Sequence, residues 1–218
     1  MTIHQKMMLT LFFGISLIPL QLNAEENQTS LNIPVAIELF TTSGIDADQH
    51  PNQYEKFAMD LVTQIDEKDL EQIESLAEQG NVHSQTLMGL VYSLPNEEGE
   101  GRVLSNMVMV PSPKMQNYVE NFQLPVTDLV ERDPDKSKAY LEEAAAEKNT
   151  LAETLLAEAI MQTEGQRPDF EKSRDYFHRA ALKQHLRAQI GLLQVSAILE
   201  EDVDPAIMRQ IFSEMTGQ

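Results

Sequence analysis

Carboxylates dominate the reactive side chains of this 218-residue chain, in which 35 Asp and Glu stand beside five histidines and no cysteine. Without a thiol, Cys nucleophiles, thiolate metal sites, disulfides and Cys-linked lipids are excluded. None of His4, His50, His83, His178 and His185 stands in the His-Glu-x-x-His spacing that places two ligands on one helical face, so no metal is assigned. His178 and His185 lie seven apart, with Gln184 and His185 in an expected inter-helix turn. A serine hydrolase would need Gly-x-Ser-x-Gly, or a serine three residues ahead of a lysine, and the chain has neither. Acid and base carboxylates for hydrolysis must oppose each other across a cleft. Pairs such as Glu142-Glu143 and Glu200-Glu201 show no such spacing, so a hydrolase using dispersed carboxylates is kept only as the chemical alternative. Asp46-Ala47-Asp48 and Glu97-Glu98-Gly99-Glu100 do not fit the twelve-residue calcium loop, and no cation or cofactor is expected.

One acidic set does have geometry. Glu67, Glu71, Glu74 and Glu78 follow i, i+4, i+7 and i+11, a single stripe on the side of a helix turned away from Leu70, Ile73 and Leu76. The register-equivalent positions further on are Asp135, Ala139 and Glu142, then Glu171, Asp175 and His178. In stacked helix pairs equivalent positions form a row. The expectation is an acidic groove that captures a basic segment of a protein partner, with steering that weakens as salt rises. A basic set, Lys172, Arg179, Lys183 and Arg187, is expected to pair locally with Asp169, Glu171 and Asp175.

Helices must position these groups. Residues 25–50 are polar, apart from an apolar stretch at 33–40 whose type, helix or strand, stays open. From Pro51 onward Tyr54, Phe57, Ala58, Leu61, Val62 and Ile65 mark one face of an amphipathic helix. Leu70, Ile73, Leu76 and Ala77 form the next face, ending at Gly80, and Leu87, Met88, Leu90 and Val91 another, before a loop at 95–101. Residues 102–132 are irregular, with a short helix expected near 115–122 and an apolar run from Val103 to Val110 that needs cover. Asp133-Pro134, Pro168-Asp169 and Asp204-Pro205 carry helix-opening prolines, the first and last with a capping aspartate. Helices are expected at about 134–148, 151–163, 169–183, 186–200 and 205–215.

These helices repeat. At an offset of 36, Asp133, Lys136, Ser137, Tyr140, Ala144, Ala145 and Ala152 map onto Asp169, Lys172, Ser173, Tyr176, Ala180, Ala181 and Ala188. Sixty-eight residues before the middle unit stand Lys68, Ala77, Ser84 and Gln85, equivalent to Lys136, Ala145, Ala152 and Glu153. Small residues at these places let paired helices approach closely. The segment from Leu76 to Tyr92, with Ala77, Gly80, Ser84, Gln85, Gly89 and Tyr92, closely resembles the core of a Sel1-like repeat, a relative of the tetratricopeptide repeats. The resemblance extends over roughly residues 66–200, by the logic of fixed-period repeats. It implies an all-α fold: a right-handed α-α superhelix with about three helix-pair repeats over residues 51–218, interrupted by the 102–132 insertion. Gly80 and Gly89 have no glycine counterparts at Lys148, Ala157, Gln184 and Leu193, so distortion is expected between the first two units.

The N-terminus reads as an address. Residues 1–24 carry Lys6, an apolar run and Leu22-Asn23-Ala24, which suits a secretory signal cut after Ala24. Ser16, Pro19 and Gln21 break the run short of the ~20 residues a membrane-spanning helix needs. A periplasmic or secreted chain with no stable membrane anchor is expected. Its formal charge of −19 repels phosphate backbones, so no nucleic acid is expected as a partner. The Sel1-like resemblance implies a non-enzymatic scaffold, adaptor or regulator that binds protein. Its narrower alternative is an immunity protein neutralising a secreted antibacterial toxin, for example a type VI secretion effector.

Overall fold

A computed structural model describes Ile37 and residues 46–94, 125–162 and 167–216. The expected signal segment, the 95–101 loop, the short helix near 115–122 and the apolar run from Val103 lie outside the described residues, as does the 33–40 stretch except for Ile37, which is buried. Among the described residues the chain is all-helical, without a strand. Its helices are α1 (Pro51–Val62), α2 (Glu67–Glu78), α3 (Val82–Ser93), α4 (Pro134–Ala146), α5 (Thr150–Met161), α6 (Phe170–Leu182), α7 (Leu186–Leu199) and α8 (Pro205–Thr216). Pro125–Asp128 forms a 3-10 turn within the irregular stretch.

Start signals fall where side-chain oxygens can meet free amides. Asp66 and Asp69 cap α2 reciprocally, and Asp133 and Asp169 accept from the amides of Lys136 and Lys172 at 2.9 Å each. The middle opening signal thus works differently from the expectation. Asp169, not Pro168, sits at the cap, and Pro168 lies just outside the helix.

Neighbouring helices pack in succession from α2 to α8, and α3 packs directly on α4 although the irregular stretch separates them in sequence. The α2–α3, α4–α5 and α6–α7 turns are alike. The amides of Asn81, Asn149 and His185 donate to the carbonyls of Leu76, Ala144 and Ala180, and Gly80, Lys148 and Gln184 all take positive φ, 86°, 65° and 64°. Lys148 and Gln184 therefore hold the left-handed conformation despite a Cβ, at a cost of about 1–2 kcal/mol each. The lost glycines do not distort these turns. A second bond also recurs: Ser137 Oγ donates to the Gly89 carbonyl at 2.7 Å, and Ser173 Oγ to that of Ala157 at 2.9 Å. Each ties a hairpin to the one before it.

Gly191 shows how volume is shared inside a hairpin. Its equivalents at the same offsets are Leu87 and Leu155, both buried, and it faces Phe177, whose equivalents Ile73 and Leu141 are smaller. A Cβ at Gly191 would come within 2.4–2.7 Å of three atoms of the buried Phe177 ring, well inside contact distance. Gly191→Ala is accordingly expected to destabilise by about 1–3 kcal/mol through overpacking. A urea midpoint unchanged from the parent chain would refute this account.

Candidate functional site

The acidic row lies on the first helix of each hairpin. Glu67, Glu71 and Glu78 on α2, Asp135 and Glu142 on α4, and Glu171, Asp175 and His178 on α6 are exposed, whereas Glu74 is half-buried. Two of these carboxylates are held by the lysine of the next hairpin. Lys136 Nζ lies 2.9 Å from Glu74, and Lys172 Nζ lies 3.7 Å from the equivalent Glu142. Asp175 pairs with Arg174 at 3.0 Å, and Arg174 also grips Glu201. Six members, Glu67, Glu71, Glu78, Asp135, Glu171 and His178, take part in none of these bridges.

Around Glu74 the row opens into a cleft of about 540 Å³ that Leu70, four residues away, also lines, so, against expectation, the stripe is not turned wholly away from Leu70. Lys136 donates to Tyr92 Oη at 2.5 Å and sits 4.4 Å from the centre of that ring, which stacks on Tyr140 at 6.1 Å. The Tyr92 hydroxyl and the Glu74 carboxylate raise the Lys136 ammonium above the usual lysine range, and Lys136 in turn lowers Glu74. Both groups therefore stay charged at neutral pH. Lys136 therefore offers no free amine for a nucleophile or base at neutral pH.

The basic set pairs more widely than expected. Arg179 Nε meets Glu153 at 2.7 Å, and Lys183 meets Asp48 at 2.9 Å and Glu153 at 3.3 Å. Arg187 meets Glu158 at 2.6 Å and Glu55 at 2.7 Å. These partners lie in the preceding hairpin, in α1 and in the turn just ahead of it, not at Asp169, Glu171 or Asp175. The reason is geometric: α6 and α7 present these cations to α5 and α1, across the joint between hairpins.

Helix α1 stands where its apolar face predicts it, and what sequence reasoning missed is the set of polar contacts it makes to the hairpins. It packs on α3 and α5 and reaches the start of α3 and the α4–α5 and α6–α7 turns. Tyr54 Oη lies 2.8 Å from His83 Nδ1 and accepts from Asn149 Nδ2 at 3.0 Å. Asn52 Oδ1 accepts from the Leu186 amide at 2.9 Å, and Asn52 Nδ2 donates to the Gln184 carbonyl at 3.1 Å. Glu55 bonds His185 Nε2 at 2.9 Å while His185 Nδ1 lies 2.7 Å from Thr154 Oγ1. Just ahead of the helix, Asp48 accepts from Thr150 Oγ1 at 2.8 Å. Asp46, weighed above as a cation ligand, instead accepts from the amides of Asp48 and Gln49 as a turn former. Burial pushes the Tyr54 hydroxyl up and the His83 imidazole down. Two sequence signals were available: Glu153 and Glu158 interrupt the otherwise apolar α5, and a carboxylate in such a helix needs a cation from elsewhere.

Among the described residues no group of three His, Asp or Glu side chains converges as a metal site, and no helix is long and apolar enough to cross a membrane. Comparison with protein-family models, curated proteins and solved structures returns no match.

Proposed function

We propose that this chain is an exported, non-enzymatic protein-binding module, a right-handed superhelix of about three Sel1-like hairpins that serves as a scaffold, adaptor or regulator in the periplasm or outside the cell. The observation that carries the reading is the acidic row of α2, α4 and α6. Lysines of neighbouring hairpins take up Glu74 and Glu142, while Glu67, Glu71, Glu78, Asp135 and Glu171 stay exposed. The recurrent turns, with their shared positive φ and shared amide bonds, support stacking of the hairpins in register. The basic set is paired within the fold, whereas six members of the row take part in none of these bridges.

Affinity capture from a periplasmic extract tests this reading, with the mature chain compared against a Glu71→Lys, Glu78→Lys, Glu171→Lys variant. Charge reversal on a binding face acts mainly on association, so about tenfold less of a specific partner is expected at low salt, with the difference shrinking at high salt. Equal capture by both proteins at low salt would overturn the acidic row as the binding surface.

A further inference from the structure

The cleft beside Glu74 has an apolar wall that the acidic row does not require. Leu70 and Val130 are partly buried there, and Leu129 is 40% exposed. Glu74 and Tyr92 close the floor, tied by Lys136. The volume, about 540 Å³, falls within the range of pockets that take small ligands and leaves room for one aliphatic side chain. The charge leans acidic: Glu74, Glu131 and Asp133 line the cleft against Arg132 and Lys136, and Glu67, Glu71 and Glu78 stand exposed on the same helix as Glu74. One of those cations, Lys136, is spent on Glu74.

We infer that this cleft is an anchor pocket for a protein segment in which one aliphatic side chain is flanked by lysines or arginines. The aliphatic group covers Leu129, Leu70 and Val130, and the flanking cations meet Glu67 and Glu71 on α2 and Glu131 on the opposite rim. Charge complementarity selects this occupant. An acidic or neutral apolar segment would gain the same wall but bring no cation to the carboxylates around it, and a negatively charged surface would be repelled. The inference rests on the proposed protein-binding role and gives it a specificity: a buried apolar anchor at the centre and a charged rim that steers.

Two fluorescein-labelled synthetic peptides test it by anisotropy, Gly-Lys-Lys-Leu-Lys-Lys-Gly and its counterpart with serine in place of leucine. The leucine peptide is expected to bind about tenfold more tightly, the ratio for burying much of one leucine side chain. Leu129→Ser should abolish that preference while leaving the salt dependence, and Glu67→Lys with Glu71→Lys should weaken both peptides at low salt. Circular dichroism melts of the variants confirm that they fold; Leu129 is exposed enough for the change to be tolerated. Equal binding of the two peptides to the parent chain would overturn the pocket yet leave the acidic row standing. Failure of both peptides to bind at low salt would overturn both. Light scattering that shows a dimer dispersed by Leu129→Ser would also overturn the assignment, since the occupant would then be a second copy of the chain.

Discussion

Arg187→Ala is expected to lower stability by about 3–5 kcal/mol, the cost of stranding buried carboxylates without their counter-charge. Arg187 forks onto both oxygens of Glu158, at 2.6 and 2.7 Å, and reaches Glu55 with its remaining terminal nitrogen at 2.7 Å. The side chains of all three residues are largely buried, with 14% of Arg187, 13% of Glu158 and 19% of Glu55 exposed. One guanidinium thus binds α7 to both α5 and α1. Among the described residues neither carboxylate has a lysine or second arginine within bridging distance to take its place. The melting temperature should fall by roughly 10 °C for a chain of this size. Arg187→Lys should also destabilise, since a point charge cannot make the fork. Replacing Glu55 and Glu158 by glutamine alongside Arg187→Met should recover much of the loss, because the group then leaves no buried charge. A calorimetric loss below about 1 kcal/mol for Arg187→Ala would show that water reaches both carboxylates.

What could be read from the sequence was what repeats or sits near its cause. The α2 cap is written in Asp66 and Asp69, three residues apart, and the apolar face of α1 in six side chains at helical spacing. Helices α4 to α8 begin and end within two or three residues of expectation because proline, aspartate and asparagine act on their own backbone. The turns were harder to read, since glycine at residue 80 gives way to Lys148 and Gln184 although the backbone does not change. Packing of the whole hairpin overrides the preference of one residue there. Long-range pairing was not legible at all. Asn52 finds Leu186 and Asp48 finds Lys183 across more than 130 residues, through separations that no local pattern encodes. Of the acidic row, its exposure was readable from helical phase, but the bridging of Glu74 and Glu142 by lysines of the next hairpin follows only once the hairpins are stacked.

Acid should loosen the attachment of α1 through Glu55. Burial alone would raise this carboxyl, but the charge of Arg187 and the hydrogen bond from His185 outweigh it and bring the pKa from 4.5 down to about 2. A carboxyl depressed in the folded state stabilises fully above its unfolded pKa, and the contribution disappears as the pH falls through the folded value. For Glu55 the window runs from 4.5 down to about 2, and the depression corresponds to stability on the order of 3 kcal/mol. Glu158 acts with the opposite sign: burial pushes its carboxyl up against the pull of Arg187, so protonating it costs the fold less. The difference between the parent chain and Glu55→Gln isolates the first effect. The variant should be less stable at neutral pH, and the two stability curves should converge as the pH is lowered toward 2, because the parent has then lost the charge that the variant never had. Urea unfolding monitored by circular dichroism at a series of pH values gives both curves. Parallel curves across the whole acid range would mean that Glu55 keeps an ordinary pKa, and that α1 is held by Tyr54, Asn52 and Asp48 without help from this pair.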